Sequence, residues 1–403
     1  MAKKTSTIIP FKATYYNPAI AKDISSVVCP PYDVISEAQK KQLQAQSPHN
    51  FCNILLANAG DYEALGQRFR QWVAERVLID DDRDSLYLYQ QRFHSQGKTH
   101  TRFGIFSLLR MDNKVIFPHE HTLVAPKEDR KRVIKEVEAN LSPIFVIAPK
   151  KLPEFSRLYA AYRVKRPLFK FKDFEGNENA LWKIDNAKHI DAICRAVSAS
   201  SLVIADGHHR FEISYDYYLH NKDKFPNLNY VLAYVADARD GLLILPTHRV
   251  VVLRENVQEA FGKLSVNFTV HRVSEKALER KLKLKGRFAL GFCSEGVFYL
   301  LTLKKNAALA HIPDIAVYKK LDTYLFNHLV LGVLTVEGEM TYTHSIVEAR
   351  ERARNGQCAF ILRSIPLKEV FAVANKGYRL PQKSTYFYPK LLSGLLLRRF
   401  ACS

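Results

Sequence analysis

Helical and strand spacings of apolar residues alternate along the N-terminal third of the chain. Ser36 opens a capping box that predicts a helix to about residue 46. Apolar residues three and four apart predict a second helix over 61–78. The run NFCNILL between these helices predicts a short strand. Two apolar segments joined at Gln96-Gly97 predict a β-hairpin.

The same alternation continues through the rest of the chain. A helix near 188–199 leads to the apolar strand SLVIAD, and a helix over about 208–222 leads to the strand YVLAYVAD. In the last third the pattern predicts a helix near 318–330 and strands near 357–362 and 369–374. The order of these elements indicates a mixed α/β (α+β) protein.

The length and composition allow more than one domain. The 403 residues, 47% of them hydrophobic, suffice for two or three hydrophobic cores. No repeat or low-complexity linker marks a boundary, so the motifs set the predicted limits. They give an N-terminal α/β segment (1–150), a core segment (151–260) and a basic C-terminal α/β segment (261–403).

Positive charge is concentrated in the C-terminal segment. The chain has 60 Lys and Arg against 40 Asp and Glu, a formal net charge of +20. Residues 261–403 contain 23 of the basic and 10 of the acidic side chains. Such a field attracts polyanions, which makes nucleic acid a candidate partner of this segment. A solvated basic surface would have the same composition.

Several classes of function lack their signatures in this chain. No apolar run approaches the roughly 20 residues that span a bilayer. The N-terminus has no apolar signal-peptide core, so we expect a cytoplasmic protein with no membrane partner. The six cysteines include no C-x-x-C pair, which argues against a disulfide framework and a structural zinc site. A P-loop, a Rossmann glycine pattern, a G-x-S-x-G elbow and the protein-kinase motifs are also missing.

The stretch IADGHHRFE carries the strongest chemical signal. An apolar strand ends at Asp206, and Gly207 leads directly into a helix whose free backbone N–H groups and dipole favour an anion. His208, His209 and Arg210 add donors for phosphate oxygens. Asp206 could hold Mg²⁺ or accept a proton from a hydroxyl group. These residue types predict a nucleotide-phosphate site; a buried polar cluster that ties the strand to the helix is the alternative.

The stretch PHEHT offers two kinds of site. His119 and His121 would face the same way on a strand, so they could chelate a metal together with His248. A hydrogen-bonded or solvent-facing histidine pair is the commoner explanation. Glu120 could instead serve as a catalytic carboxylate or a magnesium ligand. In that hypothesis two basic residues downstream contact phosphate, namely Lys127 and Arg130.

Two further loops contain candidate side chains. The diproline of CPPYD presents Tyr32 and Asp33 on a rigid loop, although a plain structural turn would have the same sequence. PQKSTYFYPK could bind an anion through Lys383, Ser384 and Thr385, while its aromatic residues could stack on a base or simply pack. The remaining candidates belong to the stretch PTHR and are His248 and Arg249.

These blocks together carry a resemblance. CPPYDVI, HEHT with KEDR, IADGHHRFE, ILPTHR and PQKSTYFYPKL resemble the conserved blocks of a bacterial and archaeal family of unknown function, sometimes labelled SerC-like. They run from residue 10 to about residue 395, so the resemblance covers essentially the whole chain. The label of that family implies little about activity.

A local resemblance is more informative. ADGHHRFEISYDY is similar to the signature of the ParB/sulfiredoxin-like superfamily, which includes free serine kinases. It implies a ParB/sulfiredoxin-like nucleotide-binding core near 185–260 with flanking α/β segments. It also implies that residues 207–210 contact phosphates, with Asp206 near the transferred group. Glu120 is our candidate for the catalytic glutamate of that superfamily.

We therefore predict a nucleotide-dependent phosphotransferase, a small-molecule kinase that uses ATP or ADP with Mg²⁺. Its acceptor would be a small hydroxylated metabolite, free serine being one candidate. The predicted catalytic residues are Asp206, Glu120 and His209, of which the two carboxylates are the predicted Mg²⁺ ligands. Two alternatives stay open. One is a non-catalytic nucleotide-binding regulator that contacts nucleic acid or protein; the other is a metal-dependent hydrolase that uses His119, His121 and His248.

Overall fold

The computed structural model describes residues 6–58, 60–112, 114–120, 125–239, 241–284, 288–307 and 318–402. The chain forms two compact units. Unit 1 comprises residues 1–118, 122–242 and 389–403, and unit 2 comprises residues 119–121 and 243–388. The chain therefore leaves unit 1 after residue 242 and returns to it at residue 389.

The elements are numbered in chain order. The helices are α1 (Glu37–Gln46), α2 (Cys52–Leu55), α3 (Tyr62–Ala74), α4 (Ala125–Val137), α5 (Pro153–Tyr162), α6 (Ala187–Ser198), α7 (His208–Asn221), α8 (Val257–Leu264), α9 (Glu275–Lys283), α10 (Asp322–Leu329), α11 (Ile346–Arg352) and α12 (Leu367–Asn375). The strands are β1 (Ile8–Ile9), β2 (Thr14–Tyr16), β3 (Leu78–Asp80), β4 (Leu86–Ser95), β5 (Lys98–Arg110), β6 (Ile116–Phe117), β7 (Ala139–Asn140), β8 (Ile144–Ala148), β9 (Phe169–Lys172), β10 (Glu178–Ile184), β11 (Leu202–Asp206), β12 (Tyr230–Asp237), β13 (Leu243–Leu245), β14 (His248–Leu253), β15 (Phe268–Val273), β16 (Ala289–Ser294), β17 (Val297–Leu303), β18 (Val336–Thr343), β19 (Gln357–Ile361), β20 (Tyr386–Tyr388) and β21 (Arg398–Arg399).

A mixed sheet forms the centre of unit 1. Its strand order is β6-β11-β8-β12-β5-β4-β10-β9, and β1 pairs with β5. β11 runs parallel to β6 and antiparallel to β8, whereas β8 and β12 are parallel. All residues of β8 and β12 are buried, as expected for central strands that read as continuous apolar runs. Strands from both sides of residue 150 pair in this sheet. The domain boundary predicted at residue 150 stays a prediction.

Unit 2 is built on an antiparallel sheet. The strand order is β15-β17-β16-β19-β14-β18, and every neighbouring pair is antiparallel. Leu278 and Leu282 of α9 and Ala349 of α11 join a hydrophobic core with Phe298 and Ile361 of the sheet. β13 and β20 form a separate two-stranded ladder. This unit therefore has a core of its own.

Most predicted elements are present, and the mixed α/β class is confirmed. Ser36 caps α1 by accepting the backbone N–H of Gln39 at 3.2 Å. The hairpin turns through Gln96 and Gly97, both of which have positive φ angles (51° and 72°). Among the described residues, no helix is long and apolar enough to cross a membrane.

Two strand predictions are wrong. NFCNILL contains the helix α2, which begins where the Asn50 side chain accepts the backbone N–H of Cys52 at 3.1 Å. The predicted strand at 369–374 lies in α12, which buries Val370 and Val373 at helical spacing. Apolar runs this short fit a strand and a buried helix equally well, and the tertiary surroundings decide between them.

Candidate phosphate-binding site

The junction of β11 and α7 places the DGHHR residues at the first turn of a helix. β11 ends at Asp206 and α7 begins at His208. Gly207 between them is left-handed, with φ 88°, a conformation that costs other residues about 1–2 kcal/mol. A Cβ at this position would lie 3.1 Å from the guanidinium of Arg210. Both the backbone conformation and the close approach of Arg210 therefore favour glycine.

Two cations hold the carboxylate of Asp206. Arg210 Nη2 donates to Asp206 Oδ2 at 2.6 Å, and Lys390 Nζ donates to Oδ1. Burial alone would raise the pKa of Asp206, but the charges of Lys390 and Arg210 outweigh it and hold this pKa well below its ordinary value. Asp206 is therefore ionised at neutral pH, and each of its oxygens accepts a hydrogen bond from a cation.

Arg210 also lines a small cavity in unit 1. The cavity measures about 60 Å³. One water needs roughly 10–15 Å³, so the cavity has room for a small polar group. Arg210 is fixed beside it because Nη1 donates to the carbonyl oxygen of Pro143. The polar side chains of the lining are Tyr32, Arg130, Asn140, Ser142, Arg210 and Ser214.

Arg130 reaches the same cavity from α4. Its side chain is only 8% exposed. Nη1 donates to the carbonyl oxygen of Leu55 at 2.6 Å, and Nε donates to Asp129 Oδ2 at 2.6 Å. Asp129 is itself oriented by the hydroxyl of Tyr62, which donates to Oδ1 at 2.8 Å. The guanidinium of Arg130 is thus held in place before any ligand binds.

Tyr32 completes the polar side of the cavity. It begins the short 3₁₀ turn Tyr32–Val34 that follows the diproline. Its ring centroid lies 4.5 Å from Cζ of Arg130, a cation–π contact. Burial raises the pKa of Tyr32 to about 12, Asp33 acts in the same direction, and Arg210 and Arg130 oppose it. The hydroxyl is therefore protonated at neutral pH and can donate a hydrogen bond.

The last segment of unit 1 ties the cavity to the diproline loop. Ser142 Oγ and Ser393 Oγ lie 2.7 Å apart. Ser393 also exchanges two backbone hydrogen bonds with Cys29, at 3.1 and 2.8 Å. Among the other lining residues, Asn140 Nδ2 donates to Ser214 Oγ at 3.3 Å. Residues 389–403 therefore bring Lys390 to Asp206 and Ser393 to the loop that carries Tyr32.

Other predicted residues of unit 1 lie outside this lining. Lys127 pairs with Glu212 at 2.6 Å and so joins α4 to α7. His208 contributes its charge to the environment of Asp206. Asp33 and His209 are chain neighbours of Tyr32 and His208 and are not part of the cavity wall.

The candidates of unit 2 form a separate polar group. Glu120 Oε1 accepts the backbone N–H of Lys383 at 2.6 Å, and Oε2 accepts from the Thr385 hydroxyl at 3.3 Å. His119 is buried, with Nε2 lying 2.9 Å from Thr385 Oγ1. Ser384 Oγ donates to the carbonyl oxygen of Pro381. In unit 2, Glu120 and His119 thus secure the turn that contains Lys383 and Ser384.

Arg249 and His248 are buried in the same unit. Arg249 donates to the carbonyl oxygen of Thr247, and burial lowers its pKa to about 10. His248 Nδ1 accepts the backbone N–H of Leu362 at 3.3 Å. Burial, followed by the charges of Arg249 and His344, lowers the pKa of His248 to about 4. His248 is therefore neutral at pH 7.

The predicted residues thus fall into two groups, one in each unit. His121 lies outside the described residues. Within the part of the chain that the structure describes, no group of three or more His, Cys, Asp or Glu side chains could hold a metal ion.

Sequence reasoning missed Lys390, Asn140, Ser142 and Ser393. Lys390 ends the stretch PQKSTYFYPK, in which the predicted anion contacts are Lys383, Ser384 and Thr385. Asn140 and Ser142 belong to the block ANLSPIF, which precedes the buried strand β8. A cluster of polar residues directly before a buried strand was the available signal.

The family of the chain follows from its sequence. A family model described as "Protein of unknown function (DUF1015)" matches residues 8–324. The chain belongs to this family. The match confirms the resemblance to a family of unknown function, and no curated protein matches the chain.

Several solved structures are similar to this DUF1015 protein. SbnI with a C-terminal truncation from Staphylococcus aureus is 13% identical and covers 72% of this chain and 85% of that chain, with a TM-score of 0.38. A conserved hypothetical protein from Pyrococcus furiosus is 14% identical over 71% and 92%, with a TM-score of 0.36. A free serine kinase in complex with AMP is 14% identical over 70% and 86%, with a TM-score of 0.36. At these TM-scores the ParB/sulfiredoxin-like core stays a prediction, and function must be argued from this chain's own residues.

Proposed function

We propose that the chain binds the phosphate groups of ATP or ADP beside the β11–α7 junction and transfers a phosphoryl group to a small hydroxylated metabolite, free serine being one candidate. The observation that supports this proposal is the convergence of Arg130 and Arg210 on one cavity at the start of α7. Guanidinium groups bind phosphate through two parallel hydrogen bonds, and a helix N-terminus favours an anion.

Preorganisation strengthens the case for an anion site. Arg130 and Arg210 are each fixed by backbone carbonyls, and Lys390 is fixed by Asp206. Donors that are already oriented need not be ordered when the ligand binds, so little affinity is lost to entropy. The two guanidinium groups at the cavity would also neutralise the charge that spreads over a phosphoryl group in transfer. Lys390 adds a third positive charge at Asp206, the partner of Arg210.

The transfer itself needs a proton acceptor. The acceptor hydroxyl oxygen forms a bond to phosphorus, the bond to the bridging oxygen breaks with its electrons staying on the nucleotide, and the hydroxyl proton passes to a base. Because its pKa is low, Asp206 is a weak base, and we assign it to orienting Lys390 and Arg210. His209, in the first turn of α7, is the proposed base in unit 1. Glu120 belongs to unit 2, and its role as a base stays a prediction.

Mg²⁺ would neutralise phosphate charge when it binds with the nucleotide. Both oxygens of Asp206 already accept hydrogen bonds from cations, so a magnesium ion there would have to share an oxygen with Lys390 or Arg210. Asp206 and Glu120 as Mg²⁺ ligands, and nucleic acid as a partner of the basic segment, stay predictions.

Calorimetric titration with ATP, ADP, AMP and pyrophosphate, each with Mg²⁺, tests the binding step. We expect ATP or ADP to bind, and Arg210→Ala to weaken binding about tenfold to a hundredfold, since a hydrogen bond to a charged group contributes about 1.5–3 kcal/mol. Arg195→Ala is the matched control, because Arg195 is 71% exposed and pairs with Asp191 in its own helix. If none of the four ligands binds, the proposal is wrong.

Phosphorus NMR of the protein incubated with ATP or ADP, Mg²⁺ and serine or a panel of small alcohols tests the transfer step. A new phosphomonoester signal that is lost in Glu120→Gln or His209→Gln would identify the base. Nucleotide binding without transfer to any acceptor would favour the non-catalytic regulator over the phosphotransferase.

A further inference from the structure

Two buried side chains donate hydrogen bonds to the two peptide groups on either side of the Lys390 Cα atom. Arg102 of β5 donates from Nη2 to the carbonyl oxygen of Pro389 at 2.5 Å. Gln91 of β4 donates from Nε2 to the carbonyl oxygen of Lys390 at 3.2 Å. Arg102 Nη2 also donates to Gln91 Oε1, so the two side chains act together. Two successive peptide groups are thereby fixed at the point where the chain returns to unit 1.

The pair lies inside the sheet that carries Asp206. Arg102 is 1% exposed and Gln91 is fully buried, and they occupy opposite positions on the paired strands β4 and β5. Cζ of Arg102 lies 4.9 Å from the ring centroid of Phe145. Phe145 is the cross-strand partner of Asp206. Arg102 therefore connects the anchored peptide of Lys390 with the strand pair that ends in Asp206.

We propose that Arg102 and Gln91 are positioning residues that hold Lys390 against Asp206, an inference that deepens the proposed function and rests on it. A lysine side chain is long and flexible, so Nζ stays at one carboxylate oxygen only if its backbone is fixed. A buried guanidinium is costly, and well-packed apolar groups can often replace buried charges without loss of stability. Placement of Lys390 at the phosphate site gives this burial a function.

A purely structural role is the competing explanation. Gly241, with φ 99°, lies so close to Thr101 that a Cβ would overlap the Thr101 carbonyl. The chain therefore leaves unit 1 beside the same point of β5 at which it returns. Arg102 and Gln91 could serve only to fasten this crossing, in which case their effect would not depend on Asp206.

A double-mutant cycle on the full-length chain without nucleotide separates the two roles. Gln91→Glu keeps the acceptor for Arg102 and removes the donor to Lys390. We expect it to lower the melting temperature by about 2–4 °C in the wild-type background. In Asp206→Asn the loss should be less than half as large, because Lys390 no longer has a carboxylate to meet. Equal losses in both backgrounds would overturn the proposal.

Two further variants test whether the result of this cycle is specific to Arg102 and Gln91. Arg102→Lys keeps the charge but loses the planar fork, and it should show the same dependence on Asp206. Tyr89→Phe is the matched control, because Tyr89 is buried on the same face of β4 and donates to Asn179 Oδ1 at 2.6 Å. Its effect on the melting temperature should be equal in the two backgrounds.

Titration with ADP and Mg²⁺ extends the test to function. Gln91→Glu and Lys390→Met should each weaken binding, and the double variant should bind no more weakly than Lys390→Met alone. Additive losses would contradict a role that acts through Lys390. If the wild-type protein binds no nucleotide, the proposed function fails, whereas the stability cycle still decides whether Gln91 and Arg102 position Lys390.

Discussion

At the scale of single residues, Tyr32 lines the cavity, and its ring makes a cation–π contact with Arg130. Tyr32→Phe keeps the ring, so we expect stability within about 0.5 kcal/mol of the wild type. ADP binding should weaken about twofold to tenfold, since a neutral hydrogen bond contributes roughly 0.5–1.5 kcal/mol. Calorimetric titration at pH 7 measures both affinities. Tyr159→Phe, which removes a hydroxyl bonded to Gln90, is the control. Equal affinities for all three proteins would exclude a hydrogen bond from the Tyr32 hydroxyl to the ligand.

His248 makes unit 2 sensitive to acid. Its folded pKa of about 4 lies below the unfolded value of 6.5, so the unfolded state takes up the proton more readily. Stability therefore falls as the pH drops below about 6.5, and the fall continues to about pH 4. Between pH 8 and pH 5 the loss amounts to about 2 kcal/mol.

His248→Gln should remove most of this acid dependence. Glutamine can still accept the backbone N–H of Leu362 but does not titrate. Urea unfolding at pH 8 and pH 5, for wild type and variant, measures the difference. The same loss in both proteins would mean that another group is responsible.

At the scale of elements, the β11–α7 turn depends on Gly207. Gly207→Ala forces a Cβ into a left-handed position at 3.1 Å from Arg210, so we expect a loss of about 1–2 kcal/mol and weaker ADP binding. Gly262→Ala is the matched control, because Gly262 is helical in α8 and an added Cβ meets nothing within 4 Å. That change should stabilise by about 0.5–1 kcal/mol. Urea unfolding should give opposite signs for the two variants; a neutral Gly207→Ala would contradict the left-handed turn.

The elements that the sequence predicts correctly are those whose signals lie within a few neighbouring residues. The Ser36 cap and the hairpin turn at Gln96-Gly97 act within a few residues, and Asp206 to Arg210 are adjacent along the chain. α2 and α12 were missed because their short apolar runs fit either period. Lys390 was missed because it meets Asp206 across 184 residues, a contact that exists only after the chain has returned to the sheet.

At the scale of the whole molecule, each unit has its own hydrophobic core. The core of unit 1 includes Val146 and Ile204, and that of unit 2 includes Leu278 and Ile361. A unit with its own core can unfold independently of its neighbour, and a chain with two such units need not unfold in one step. The cavity that Arg130 and Arg210 line belongs to unit 1, whereas His248 belongs to unit 2.

Scanning calorimetry should therefore resolve two transitions with different responses. ADP with Mg²⁺ at a hundred times its dissociation constant adds about 2.7 kcal/mol and should raise the transition of unit 1 by roughly 5–10 °C. A change from pH 8 to pH 5 should lower the transition of unit 2. At the same ADP concentration, Arg210→Ala should reduce the first response to about half or less, and His248→Gln should remove most of the second, so each transition is assigned by its own variant. A single transition that responds to both treatments would mean that the units unfold together. Protonation of His248 would then also lower the stability of the unit that contains the proposed phosphate site.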